Sequence, residues 1–135
     1  MKFAIDTNLL ISSTFKLSSP PGLVMAAWRM QHIEWVSCDE QMQELSAALF
    51  RPGVLTRVIG GEKLAFALLD EIRSNCDFKT LTHPVPSVCR DSKDDYLFAL
   101  YNQRHVEMIV SGDKDVQALR GSYPVITARE LIDRL

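Results

Sequence analysis

The 135 residues are the length of one ordinary domain, and with 47% hydrophobic and 24% charged side chains they can bury a core, which excludes a disordered or collagen-like chain. Fifteen Lys and Arg against seventeen Asp and Glu leave a net charge of −2, so the chain does not coat nucleic acid through bulk charge, and any such contact must be local. The cysteines Cys38, Cys76 and Cys89 are odd in number and widely spaced, which argues against a disulfide framework and a structural zinc. The longest apolar stretches, Gly22 to Trp28 and Leu64 to Leu69, end in charges far short of a membrane span. A reduced, soluble, cytoplasmic protein without membrane contact is expected.

No repeat, low-complexity tract or linker divides the chain, so residues 1–135 read as a single domain. Strand-like runs occur at Lys2 to Ile5, Ile33 to Cys38, Phe78 to Leu81, Val106 to Ser111 and Val125 to Thr127, each beside a segment of helical period. That alternation predicts an α/β fold, a parallel sheet with covering helices.

The helices follow in order. Pro20-Pro21 opens one with Leu23, Ala26, Ala27 and Met30 on a single face. Met42, Leu45 and Leu49 form the next stripe, which Pro52-Gly53 ends, and Leu64, Leu68, Leu69 and Ile72 form a third. Leu97, Leu100 and Tyr101 form a fourth after Arg90-Asp91-Ser92-Lys93, and Thr127 with Glu130 makes a capping box for a last helix from Ala128. Met25, Met30 and Met42 are expected to pack helices, and Trp28 and Trp35 to lie in the core or a dimer contact.

The acids are informative through their positions. In an open parallel sheet, ligands bind beyond the carboxyl ends of the strands. Asp6 follows the first apolar run and Asp113 follows Met108-Ile109-Val110-Ser111-Gly112, while Asp91, Asp94 and Asp95 open a helix that starts at the same edge. Glu44 lies roughly 120° from the centre of its helix's apolar stripe and can point along that edge. Carboxylates gathered in one place repel, and one or more must take up a proton or share a cation. Oxygen donors without Cys or His partners suit Mg²⁺ or Mn²⁺, whose chemistry beside such acids is attack of water on a phosphodiester.

These residues resemble a known family. Asp6-Thr7-Asn8-Leu9-Leu10 after a short strand is similar to the opening motif of PIN-domain ribonucleases, of the kind found as toxins of bacterial and archaeal toxin-antitoxin pairs. Glu44-Leu45, the run from Arg90 to Leu100 and Val110-Ser111-Gly112-Asp113-Lys114-Asp115 resemble the later acidic motifs, in order along nearly the whole chain. The resemblance implies a catalytic and metal-holding set of Asp6, Glu44, Asp95 and Asp113, with Asp115 as a further metal ligand and Thr7, Asn8, Asp94 and Ser111 in support. Asp95 is preferred to Asp94 because Leu97-Phe98-Ala99 follows it in the family's register. It further implies a doubly wound, Rossmann-like three-layer α/β/α domain around a parallel sheet of about five strands. A Mg²⁺ or Mn²⁺ cofactor, an RNA substrate, homodimerisation and a cognate antitoxin protein belong to the same expectation. Given the acidic net charge, RNA contact would fall to local groups such as Lys16, Arg51, Arg57, Lys93 and Lys114.

Simpler readings stand beside these. Asp6 and Asp113 can be helix caps, Asp91 can cap, and Ser92 with Asp95 can form a capping box. His32, His83 and His105 are expected at the surface or in turns, away from the acids. A haloacid dehalogenase-type phosphatase wants a second aspartate at the position of Asn8, and a receiver-like phosphoacceptor wants its aspartate after a third strand, where Leu81-Thr82-His83-Pro84 stands. A PIN-like module that binds RNA or protein without cutting is the alternative from another class.

Overall fold

Side chains that alternate along a strand point to opposite faces, and in this chain both faces of the short runs are apolar, as a sheet covered on both sides requires. In the computed structural model, which describes residues 1–135, these runs form five strands: β1 (Lys2–Ile5), β2 (Glu34–Ser37), β3 (Asp77–Phe78), β4 (Met108–Val110) and β5 (Val125–Ile126). All pairings are parallel, in the order β3-β2-β1-β4-β5. Eight helices surround them: α1 (Thr7–Ser13), α2 (Pro20–Arg29), α3 (Asp39–Leu49), α4 (Pro52–Leu55), α5 (Gly61–Asn75), α6 (Asp95–Asn102), α7 (Lys114–Gln117) and α8 (Ala128–Asp133).

Two cores show which helix covers which face. Phe3, Ile5, Trp35, Met108, Val110 and Ile126 pack with residues of α1, α2, α3, α5 and α8. Ala4, Val36, Ile109 and Val125 pack with α6 and Val116 of α7. The result is a three-layer α/β/α domain, with consecutive crossovers moving outward from β1 through β2 and β3 on one face, then returning to β4 and β5 on the other. The direction reverses between β1 and β4, which makes that junction the switch point where such sheets open a crevice.

Three short helices, α1, α4 and α7, are not marked by the apolar stripes, because seven or fewer residues show too little of a period. The third strand forms at Asp77–Phe78, not at Phe78 to Leu81, since its pairing with β2 is Val36↔Asp77 and Ser37↔Phe78. The stripe expected on α2 is displaced by about one residue. Val24, Met25, Ala27 and Trp28 are buried, whereas Leu23 and Met30 are exposed. This helix is apolar nearly all round, so its largest buried surface, carried by Met25 and Trp28, selects the face. The two tryptophans are core residues, meeting edge to face with centroids 5.2 Å apart. Thr127 and Glu130 form both hydrogen bonds of the capping box.

Candidate metal centre

Asp6 sits at the end of the middle strand, where two local demands fix its side chain. One carboxylate oxygen caps α1 by accepting the Asn8 N–H at 3.0 Å, and the other accepts the Ser111 hydroxyl at 2.6 Å. Ser111 directly follows β4, and its Oγ also accepts the Asp113 N–H at 3.1 Å, so one hydroxyl joins the acids that follow neighbouring strands. Asp113 in turn caps α7 through the Asp115 N–H at 2.8 Å. The capping and the functional readings of Asp6 and Asp113 are therefore compatible, because each carboxylate that caps a helix also lies at the switch point. Burial raises the Asp6 carboxyl above its ordinary range, opposed by its bonds from Ser111 and Asn8 and reinforced by the charges of Asp113 and Asp91.

The adjacent pair Asp94 and Asp95 divides into two roles. Asp95 Oδ1 accepts the N–H groups of Val88 at 3.0 Å and Cys89 at 2.8 Å, which ties the preceding loop to α6. It makes no capping box with Ser92; Asp91 caps the short 3₁₀ turn Ser92–Asp94 through the Lys93 N–H instead. Asp94 is 5% exposed, and its carboxylate caps no backbone group. Burial, then the charges of Asp6, Asp113, Asp91 and Glu44, push its carboxyl up to about 7. Its position thus joins the cluster that the sequence register assigned to Asp95.

Glu44 is half-buried on α3 and its carboxyl is raised by burial first and by Asp6 second, with Lys93 and Arg51 acting in the opposite direction. Thr7 is fully buried at the first position of α1 and bonded to the Tyr96 hydroxyl, while Asn8 is exposed in the same cleft as Asp6. Asp115 is half-buried on α7 and its charge is felt at Cys89; it is not among the main influences on Asp6, Glu44 or Asp94.

Two cavities flank the acids. One of about 440 Å³ is lined by Asp6, Asn8, Ser12, Pro21, Gly112, Asp113, Thr127 and Arg129. The other, about 370 Å³, is lined by Glu40, Glu44, His83, Ser92, Lys93, Asp95 and Tyr96. His83 is at the surface as expected but does lie beside an acid, with Nε2 2.8 Å from Glu40 Oε2. The largest cavity, about 580 Å³, opens at the opposite end of the strands around Lys2, Trp28, Trp35, Glu71 and Asp77. There Glu71 and Asp77 are already paired with Arg29 and Lys79, so it lacks the uncompensated charge of the acid cleft.

Of the local cations, Lys93 lines the Glu44 cavity and Arg51 is felt at Glu44. Arg57 is instead stacked 4.2 Å over the Phe15 ring, and Lys16 and Lys114 are exposed. Sequence reasoning missed Arg129, which lines the same cavity as Asp6, and the buried pair Gln41 and Tyr96. Gln41 was detectable as a polar residue one turn before Leu45 on the apolar stripe of α3.

Four chain segments therefore bring Asp6, Glu44, Asp94 and Asp113 into one electrostatic cluster of oxygen donors, the chemistry a hard divalent cation matches. No three His, Cys, Asp or Glu side chains converge as a finished metal cage. The donor set fits such an ion in kind and charge.

The chain is thus a parallel α/β/α domain with an acidic crevice at the switch point of its sheet. The family model described as a PIN domain matches residues 2–115, and the chain belongs to the PIN-domain family. PIN domains are generally nucleases and typically use divalent metal ions. No curated protein is significantly similar to the chain in sequence.

Proposed function

We propose that this protein is a Mg²⁺- or Mn²⁺-dependent endoribonuclease, the toxin of a toxin-antitoxin pair. The observation that supports it best is the gathering of Asp6, Asp94, Asp113 and Glu44, where burial first and the charges of the neighbouring acids second raise the Asp94 carboxyl to about 7. Acids buried and gathered in this way are stabilised by a cation.

In this reading Asp6, Asp94 and Asp113 would hold the ion, with Glu44 on α3 as a further oxygen donor; Asp94 takes the place expected of Asp95. When bound, such an ion would supply Lewis acidity for the attack of water on a phosphodiester. Ser111 orients Asp6 through its 2.6 Å bond, and Asp95 keeps the loop before α6 in place. Lys93 and Arg129, at the two flanking cavities, meet substrate phosphates. A homodimer and a cognate antitoxin protein complete the proposal.

A second reading has a specific observation behind it. Because no three acids converge as a metal cage, the domain could grip RNA or protein without cutting. Cleavage of a labelled RNA panel in Mn²⁺, Mg²⁺ or EDTA, beside Asp6→Asn and Asp94→Asn, separates the two. Metal-dependent cutting that falls by about 10²-fold or more in both variants is expected. Folded protein that neither cuts nor takes up Mn²⁺ would establish the binding module.

A further inference from the structure

Beneath the acids lies an enclosed polar array made by Gln41, Thr7, Ser37 and Tyr96, the first three 0% and the last 4% exposed. Burying an amide, a phenol and two hydroxyls is unfavourable unless each is bonded, and here each has a partner. Gln41 Nε2 donates to the Ile5 carbonyl at 2.5 Å and to the Tyr96 hydroxyl at 3.1 Å, while Gln41 Oε1 accepts the Ser37 hydroxyl at 2.5 Å. Tyr96 Oη also accepts the Thr7 N–H at 3.2 Å. With both acceptor positions taken, its proton goes to Thr7 Oγ1 at 2.7 Å.

The array stands where the sheet lacks ladder bonds. Paired register between β1 and β2 ends at Phe3↔Trp35, whereas β1 and β4 stay paired to Ile5↔Val110. The Gln41 side chain spans the opened ends of β1 and β2, and Tyr96 joins that bridge to α6. Asp6 directly precedes Thr7, and Asp94 lies two residues before Tyr96, so the same bonds tie together the two segments whose carboxylates repel each other.

We propose that Gln41 and Tyr96 are positioning residues of the acidic site, holding the β1–α1 junction against the start of α6 so that Asp6 and Asp94 stay apposed without a cation. The metal-binding consequence rests on the nuclease reading; the apposition itself does not. Tyr96→Phe leaves the Thr7 and Gln41 donors without their acceptor, and Gln41→Leu removes the bridge while preserving bulk.

The test compares both variants with Tyr123→Phe, which removes a phenol bonded only to Asn102. Two quantities are read well below the melting temperature: hydrogen exchange of the Asn8 amide in metal-free protein, and the Kd for Mn²⁺. The Asn8 amide reports directly because it is bonded to Asp6. In Tyr96→Phe and Gln41→Leu, exchange faster by about tenfold and a Kd weaker by about tenfold are expected, with kcat lowered and KM nearly kept. Tyr123→Phe should match wild type. A lower melting temperature with wild-type exchange and Kd would overturn the proposal and leave the array a core bond. Should wild type take up no Mn²⁺, the nuclease reading falls and Asn8 exchange alone decides; if Tyr96→Phe does not fold, Gln41→Leu decides.

Discussion

Asp94 and Asp95 are chemically identical neighbours that the fold sets to different work, and substitution separates them. The folded-state carboxyl of Asp94, at about 7, lies above its ordinary value of 3.8, so the native protein holds a proton that the unfolded chain has released between those limits. Its favourable contribution is present below about 4 and lost as pH rises through about 7. Asp94→Asn should therefore stabilise the metal-free protein at pH 8 by about 1 kcal/mol, or roughly 3–6 °C in Tm, measured by thermal melts across pH. The same proton must leave before a cation binds, so Mn²⁺ affinity measured by calorimetry should climb as pH passes through 7, and the climb near 7 should be lost in Asp94→Asn. Asp95→Ala should do the reverse. Removing the acceptor of the Val88 and Cys89 N–H groups should cost roughly 1–3 kcal/mol in urea denaturation.

At the scale of elements, the acid cleft depends on how helices enter the sheet edge. α2 begins with Pro20-Pro21-Gly22 behind a Ser19 cap, and Pro21 lines the cavity that contains Asp6. A Cβ at Gly22 would stand 2.2 Å from the Leu17 carbonyl oxygen, a backbone atom that cannot swing aside. Gly22→Ala should force the α1–α2 loop off the helix and cost about 2 kcal/mol or more, read from the urea midpoint. α8 enters the cleft from the other side with a capping box, which seats Arg129 at its first turn. The helix stripes of α3 and α5 were legible because apolar and polar residues alternate strongly there, except that Leu64 is exposed at the start of α5 and Ala65 is buried in its place. On α2 no polar face existed to break the tie, and packing against the sheet decided the rotation.

Across the molecule, a net charge of −2 coexists with a strongly acidic crevice, so attraction of a polyanion must come from a few cations at its rim. Lys93 and Arg129 occupy opposite flanks of the acids. Lys93→Ala and Arg129→Ala should each weaken RNA binding in EDTA and reduce the slope of log affinity against log salt by about 1. Arg29→Ala, at the opposite end of the strands and paired with Glu71, should leave that slope unchanged. Fluorescence anisotropy over a series of KCl concentrations makes the comparison. Equal slopes in all three variants would place the RNA elsewhere.

Legible from the residues alone were the alternation of strands and helices, the parallel sheet, the capping box at Thr127, and the places of Asp6 directly after β1 and Asp113 shortly after β4. These are local properties: periodicity, caps and the residue that follows an apolar run are set within a few positions. Long-range packing added that Asp94 feels the charges of Asp6, Asp113 and Glu44 while Asp95 holds the Val88 and Cys89 N–H groups, that Gln41 and Tyr96 bond to each other, and that Arg129, from the far end of the chain, lines the same cavity as Asp6. Adjacent residues at a helix start differ by about 100° in direction, so which one faces a crevice depends on the loop packed against it. Bonds between residues as distant as Gln41 and Tyr96 exist only when the strand order brings their helices to opposite sides of β1, and no local pattern carries that order.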